Sequence, residues 1–278
     1  MTVLITGGTG TTGSRVAAAL RGRDVAVRIA SRRPAAGQVH FEWTDPATHA
    51  AALDGVRAVY LVAPVGVADP APIVAPFLDE ARERGVRRVV LLSSSAVPEG
   101  APGLGELHRM VCASAPEPTV LRPSWFMQNF LGDHPHAYSA RTEGEIVTAT
   151  GSGRVAFVDA GDIAAVAAQA LSGGEPHVGE YVLTGPEALS YAEVAAVLTE
   201  VTGHPVGHRA VEVEELTARL VAAGYPSDFS AMLAGLDADV ARGVEDRTTS
   251  AVQDVTGRPP RSLREVVGDA HLSAGVAR

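Results

Sequence analysis

The sequence predicts an α/β protein: a doubly wound parallel Rossmann sheet with a smaller, mostly helical C-terminal region for substrate. Three observations carry this. Strand-like and helix-like runs alternate through the first half, the pattern of a parallel sheet with helices on both faces. The run Val89-Val90-Leu91-Leu92 is apolar without alternation, as expected of a strand buried on both sides. A glycine-rich segment, Gly7–Gly13, separates the first strand from the first helix.

The elements follow in order. Strands are expected at Val3–Thr6, Val25–Ala30, Val39–Glu42, Ala58–Ala63, Arg88–Ser93 and Thr119–Arg122. Helical patterns occupy Thr11–Leu20, Ala47–Leu53, Ala71–Arg84 and Leu104–Ser114. After Arg122 the rhythm changes. Gly144–Ala149, Val155–Val158 and Tyr181–Thr184 read as strands, and Asp159-Ala160-Gly161-Asp162 opens an alanine-rich helix to Leu171, with the two aspartates placed to cap it. Ser190-Tyr191-Ala192-Glu193 is a capping box starting a helix to about Thr202. Val213–Val255 reads as mostly helical, broken at Tyr225-Pro226. The chain divides into a dinucleotide-binding core, 1–130, and a C-terminal region, 131–278, of which 155–185 returns to the sheet.

Composition narrows the chemistry. With 278 residues, 46% hydrophobic and 20% charged, the chain can bury a substantial core. No apolar run approaches bilayer length, and no basic leader precedes the first strand, so a soluble cytoplasmic protein is expected, away from membranes. One cysteine, Cys112, excludes an internal disulfide; on its helix it reads as a small buried hydrophobe. A formal charge of −9 argues against nucleic acid as partner. The sequence contains no lysine, so Schiff-base chemistry, a P-loop lysine and a Tyr/Lys reductase pair are excluded.

The glycine segment Gly7-Gly8-Thr9-Gly10-Thr11-Thr12-Gly13 meets the context a dinucleotide loop requires. Gly7 permits the tight turn, Gly10 lets the backbone approach a pyrophosphate, and Gly13 allows close helix–strand packing. The phosphates then sit at the positive end of the helix. The second strand ends Ser31-Arg32-Arg33, where an NAD site would carry a carboxylate for the ribose 2′-hydroxyl. Two arginines there suit a 2′-phosphate, so NADP(H) is expected over NAD(H). Asp45 is placed to meet the adenine amine, or to serve as a turn or helix cap.

At this point the chain resembles the NmrA-like group of atypical short-chain dehydrogenase/reductases, nearest its quinone-oxidoreductase and ergot-alkaloid-imine-reductase-like branch. The resemblance rests on Gly7–Gly13, Tyr60–Pro64, Val90–Ser94, and most specifically Leu121-Arg122-Pro123-Ser124-Trp125-Phe126-Met127-Gln128-Asn129. Phe157–Ala164, Leu183–Ser190 and Thr256–Pro260 extend it along nearly the whole chain. It implies that Ala63 and Pro64 lie over the adenosine half of the cofactor. Ser93 and Ser94 then stand beside the nicotinamide ribose. Pro123, Trp125 and Phe126 line the nicotinamide, and Phe126 and Asn129 meet the substrate. Arg122 can equally be a structural ion-pair partner, and Phe126 and Met127 can be core. Where the wider superfamily carries Tyr-x-x-x-Lys, this sequence has Leu104 and His108.

Losing that pair selects the chemistry. A ketone reduces to an alkoxide whose conjugate acid is about as weak as water, so it needs a positioned donor, whereas a quinone gives a phenolate of pKa about 10 and an iminium carbon needs no proton. Candidate donors are His134, His136, Tyr138 and His108. The His-x-His pair lacks a third ligand at metal-site spacing, so no metal is expected. The leading reading is an NADPH-dependent oxidoreductase acting on a small conjugated acceptor (quinone, imine or enone), as a monomer or dimer. The alternatives are an NADP(H)-sensing regulatory protein without turnover, and a biosynthetic ketoreductase or isomerase on the same fold.

Overall fold

The computed structural model describes residues 1–276, with side-chain environments through residue 273. The last two residues of the expected region 131–278 lie outside the described residues. The first elements are β1 (Thr2–Ile5), α1 (Gly13–Arg21), β2 (Ala26–Ser31), β3 (Val39–His40), α2 (His49–Leu53), β4 (Val56–Val62), α3 (Ala71–Glu83), β5 (Arg88–Leu92), α4 (Leu104–Ser114) and β6 (Glu117–Pro123). Then come α5 (Pro135–Thr142), β7 (Glu145–Thr148), β8 (Arg154–Val155), α6 (Ala160–Leu171), β9 (Gly179–Leu183) and β10 (Leu189–Ser190). The remainder is α7 (Tyr191–Thr202), β11 (Gly207–Ala210), α8 (Val213–Ala222), α9 (Ser227–Ala241), α10 (Ala251–Thr256) and α11 (Leu263–Val276).

The chain forms two compact units. The first comprises Met1–Pro123, Ala160–Leu183 and Asp254–Gly257. Its seven strands run in the order β3-β2-β1-β4-β5-β6-β9, all parallel, which is the Rossmann arrangement with its switch point between β1 and β4. Register sorts the core. Leu4, Val59, Leu61, Val89, Leu91 and Val120 pack with Val74, Phe77, Leu107 and Val111 of α3 and α4. The intervening Ile5, Tyr60 and Val90 are fully buried on the opposite face, which α6 covers with Ile163, Val166 and Ala167.

The second unit comprises Ser124–Asp159, Thr184–Gln253 and the chain from Arg258. It contains two small ladders, β7 with β11 in parallel and β8 with β10 antiparallel. Its core gathers Met127, Phe130, Ile146, Phe157, Tyr191, Val194, Leu198 and Val266. The capping box at Ser190 and Glu193 forms as expected: Ser190 N–H donates to Glu193 Oε2 at 2.8 Å, and Glu193 N–H to Ser190 Oγ at 3.3 Å.

Two expectations of local structure are corrected, and one strand is new. The strand expected at Val155–Val158 is only two residues long, because Val158 turns instead to bond Trp125 and Met127. Residues 242–250 interrupt the helical stretch after Val213. Strand β11 was not anticipated: Gly207-His208-Arg209-Ala210 has neither apolar alternation nor β-branched residues, and its pairing with β7 supplies the order.

Candidate nucleotide and acceptor site

The glycine loop is made by close approach of backbone. Gly7 has φ +62°, a conformation L side chains rarely adopt. A Cβ on Gly13 would stand 2.3 Å from the Gly7 carbonyl oxygen, so the loop closes only with glycine there. Gly10 differs: its Cβ would meet only Gly7 O, at 3.3 Å, leaving its side open. The Gly10 N–H donates to Gly7 O at 2.9 Å, and Ser14 N–H to Gly10 O at 3.1 Å, carrying the turn into α1. Thr6 anchors the loop to β4 by accepting from Val62 N–H at 2.7 Å. Thr9, Gly10 and Thr11 are exposed, whereas Thr12 and Gly13 are buried under the turn.

At the end of β2, Ser31 is half-buried and accepts from Arg33 N–H at 3.2 Å. Arg32 and Arg33 are exposed, and among the described residues neither forms an ion pair. Asp45 caps a short 3₁₀ turn, accepting from Ala47 N–H at 3.1 Å. Ala63 and Pro64 follow β4 half-buried.

Ser93 and Ser94 follow β5. The Ser93 hydroxyl is buried and has no hydrogen-bond partner. This segment is pinned by Arg122, whose guanidinium donates to Ser94 O at 3.1 Å and Ser95 O at 2.8 Å and pairs with Glu180 at 2.6 Å. Arg122 is therefore the structural partner that was one of its two readings. Pro123 ends β6 buried. His108 is buried on α4, and its Nδ1 has no partner. Cys112 corrects an expectation: it is exposed, because it lies past the stripe Leu104, Leu107, His108 and Val111 that α4 turns to the sheet.

In the second unit Trp125 and Phe126 are half-buried and Met127 is core. Val158 N–H donates to Trp125 O at 2.9 Å, Met127 N–H to Val158 O at 3.0 Å, and Gln128 Nε2 to Asp159 at 2.6 Å. The two motif strings 121–129 and 157–164 thus meet at their ends.

His134 precedes α5 and caps it, its Nδ1 accepting from His136 N–H at 3.2 Å. A nitrogen that accepts carries no proton, so the cap requires the neutral ring. Burial lowers the His134 pKa in the same sense, against a backbone hydrogen bond to Asn129 that raises it. His136 is lowered to about 4, chiefly by burial and then by His134 and His208. It faces Phe130 at 6.2 Å and Tyr191 at 5.8 Å between ring centroids. Tyr138 is exposed.

Sequence reasoning missed the groups around this pair. Tyr191, in the sequence a member of the capping-box motif, also meets His208 with its buried ring at 5.7 Å. His208 bonds Thr148 Oγ1 at 2.8 Å. Asp237 of α9 accepts from Ala149 N–H at 2.9 Å and is raised to about 6 by burial. These residues come from four separate stretches, so no local spacing could have grouped them. A cavity of about 610 Å³ also opens in this unit, lined by Leu131, Ala137, Arg141, Leu198, Val267 and His271. Asn129, His134, His136 and Tyr138 do not line it.

A Rossmann sheet whose first crossover carries a glycine cradle defines a dinucleotide-binding protein, and the cradle fits that group because no side chain fills it. Residues 7–173 match the NAD(P)H-binding family. The chain belongs to this family, within the NmrA-like oxidoreductases. It is 48% identical over 267 residues to the uncharacterized oxidoreductase YesF of Bacillus subtilis, covering 95% of this chain and 93% of that one. It is 39% identical over 280 residues to festuclavine synthase II of Penicillium roqueforti, covering 96% and 97%. The structure of the NADPH-dependent quinone oxidoreductase QOR2 of Escherichia coli with NADPH superposes with a TM-score of 0.81 at 26% identity, covering 96% and 99%. The chain is an NAD(P)H-dependent oxidoreductase. No helix among the described residues is long and apolar enough to cross a membrane.

Proposed function

We propose that the chain is an NADPH-dependent reductase whose acceptor is a small conjugated molecule, foremost an iminium or a quinone. One observation carries this reading. The histidines nearest the motif string, His134 and His136, are held neutral by burial, so neither stands as an imidazolium ready to donate at neutral pH. With no lysine in the chain, an acceptor that needs no protein acid is favoured. Relatives described as a festuclavine synthase and a quinone oxidoreductase support the same class. For an acceptor that requires a proton, Tyr138 and His108 are the alternative donors.

In this reading the loop from Gly7 to Gly13 holds the pyrophosphate, Gly10 by letting the backbone approach it and Thr9, Thr11, Thr12 and Gly13 by their N–H groups, and Ser31, Arg32 and Arg33 hold the 2′-phosphate. Asp45, Ala63 and Pro64 contact the adenosine half. Ser93, Ser94, Pro123, Trp125 and Phe126 contact the nicotinamide half, and Phe126 and Asn129 the acceptor. NADPH, when bound, supplies hydride to an electron-poor carbon. The reading places the protein in the cytoplasm, which its one cysteine supports. The test is NADPH oxidation against a panel of acceptors. Iminium ions and quinones are expected to be reduced and simple aliphatic ketones not. Tight NADPH binding with no acceptor reduced would replace the reading with a nucleotide sensor.

A further inference from the structure

Three side chains of the first unit that can ligate a metal converge at α4. His108 and Cys112 stand one turn apart on α4, and Glu99 lies on the loop before it. A ligand atom from each is within 4.8 Å of the other two. The fold holds this loop against the helix. A Cβ on Gly105 would stand 2.3 Å from Pro98 O, so the absence of a side chain lets the loop rest on the first turn of α4. Gly100 N–H donates to Gly105 O at 2.9 Å and Ala101 N–H to Pro98 O at 3.2 Å, fixing the residues on either side of Glu99.

An independent observation points to a ligand. His108 is 2% exposed and its Nδ1 has no hydrogen-bond partner, while its Nε2 stands 3.8 Å from Glu180 Oε2, outside hydrogen-bond reach. Buried polar atoms are nearly always paired, and an ion is one of the few explanations for an orphan.

We propose that Glu99, His108 and Cys112 bind a divalent transition ion of the zinc class. One oxygen, one nitrogen and one sulfur suit a borderline ion. Calcium and magnesium would require oxygen ligands throughout. Zinc–ligand bonds of about 2.0–2.3 Å put ligand atoms about 3.3–3.8 Å apart in a tetrahedron. The adjustment of about 1 Å falls on Glu99 and Cys112, both exposed, while the buried imidazole stays in place. Glu180 is engaged by Arg122 at 2.6 Å, so the fourth position goes to water. Binding exchanges the thiol proton for the metal: the S–H bond breaks, the sulfur pair forms the S–metal bond, and one proton leaves to solvent. The ion would fasten the loop of Glu99 onto α4.

The test is titration of the reduced full-length protein with Co²⁺, followed by competition with Zn²⁺. The expected result is a thiolate-to-cobalt charge-transfer band that saturates at one equivalent and is abolished by Zn²⁺. Cys112→Ser should lose the band. Glu99→Gln should keep it with affinity at least about tenfold weaker. Both changes are at exposed positions, and circular dichroism verifies that each variant is folded. No band in the unmodified chain, a band surviving Cys112→Ser, or unchanged affinity in Glu99→Gln would each overturn the site.

Discussion

The nucleotide loop of the first unit is made of backbone, and the imidazole cluster of the second is made of buried side chains. At Gly7–Gly13 the geometry depends on atoms that are missing: the turn forms because Gly13 has no Cβ to strike Gly7 O, 2.3 Å away. Around Tyr191 it depends on groups held out of water, and burial leaves His136 near 4 and Asp237 near 6. A backbone site is indifferent to pH and intolerant of added volume. A site of desolvated side chains is the reverse, and the following expectations exploit that contrast.

The largest effects belong to the loop. Gly13→Val should destabilise the first unit by about 3 kcal/mol or more, because the added carbons meet backbone that cannot move aside. Gly10→Val should lower the melting temperature far less than Gly13→Val yet weaken NADPH binding at least about 100-fold, or about 2.8 kcal/mol, since its Cβ would meet only Gly7 O, at 3.3 Å. Thermal melts and NADPH titration separate the two. A Gly10→Val protein that binds NADPH normally would show that the pyrophosphate lies elsewhere.

Arg122→Met tests a side chain that supports the backbone site. It removes the hydrogen bonds to Ser94 O and Ser95 O and the pairing with Glu180, whose carboxylate stays open to water, so urea denaturation should show a loss of about 2 kcal/mol. A loss of only a few tenths would mean the pairing is replaced by water.

The second unit should reveal itself through pH. Asp237 holds its proton more tightly folded, near 6, than the 3.8 of an ordinary aspartate. Its contribution to stability is therefore fully present below the lower value and lost as pH rises through 6. His136 has the opposite sign: its folded value near 4 is below 6.5, so its contribution is present above 6.5 and lost as pH falls toward 4. Asp237→Asn should stabilise the protein by about 2 kcal/mol at pH 7.5 and have little effect near pH 4. An Asp237→Asn protein no more stable than the parent at pH 7.5 would show that the carboxylate is well solvated.

The smallest effect concerns the cofactor. Native protein should bind NADPH about tenfold tighter than NADH, or about 1.4 kcal/mol, and Arg32→Ala should remove most of that preference. Equal affinities in the native protein would remove the arginines from the 2′-phosphate.

The same contrast explains what the sequence could disclose. Backbone geometry leaves a local signature, so Gly7–Gly13 and the acid-free end of β2 could be read directly, and the sheet followed from apolar runs bounded by turns. The chain segments that meet at Val158 could be quoted as motifs, but their hydrogen bonds could not be read from spacing. His208 and Asp237 were invisible because tertiary packing alone brings them to Tyr191. Cys112 lies one position past the stripe Leu104, Leu107 and Val111, and composition alone does not tell whether a small side chain at the stripe's edge is covered.

The most direct test is the pH dependence of NADPH oxidation with a quinone acceptor, whose phenolate product can take its proton from solvent or from a protein acid. The rate at saturating acceptor is expected to stay flat from about pH 6.5 to 8.5, because no protein acid takes part. A fall approaching tenfold per pH unit across that range, abolished in His134→Ala or His136→Ala, would contradict it and make an imidazolium the acid.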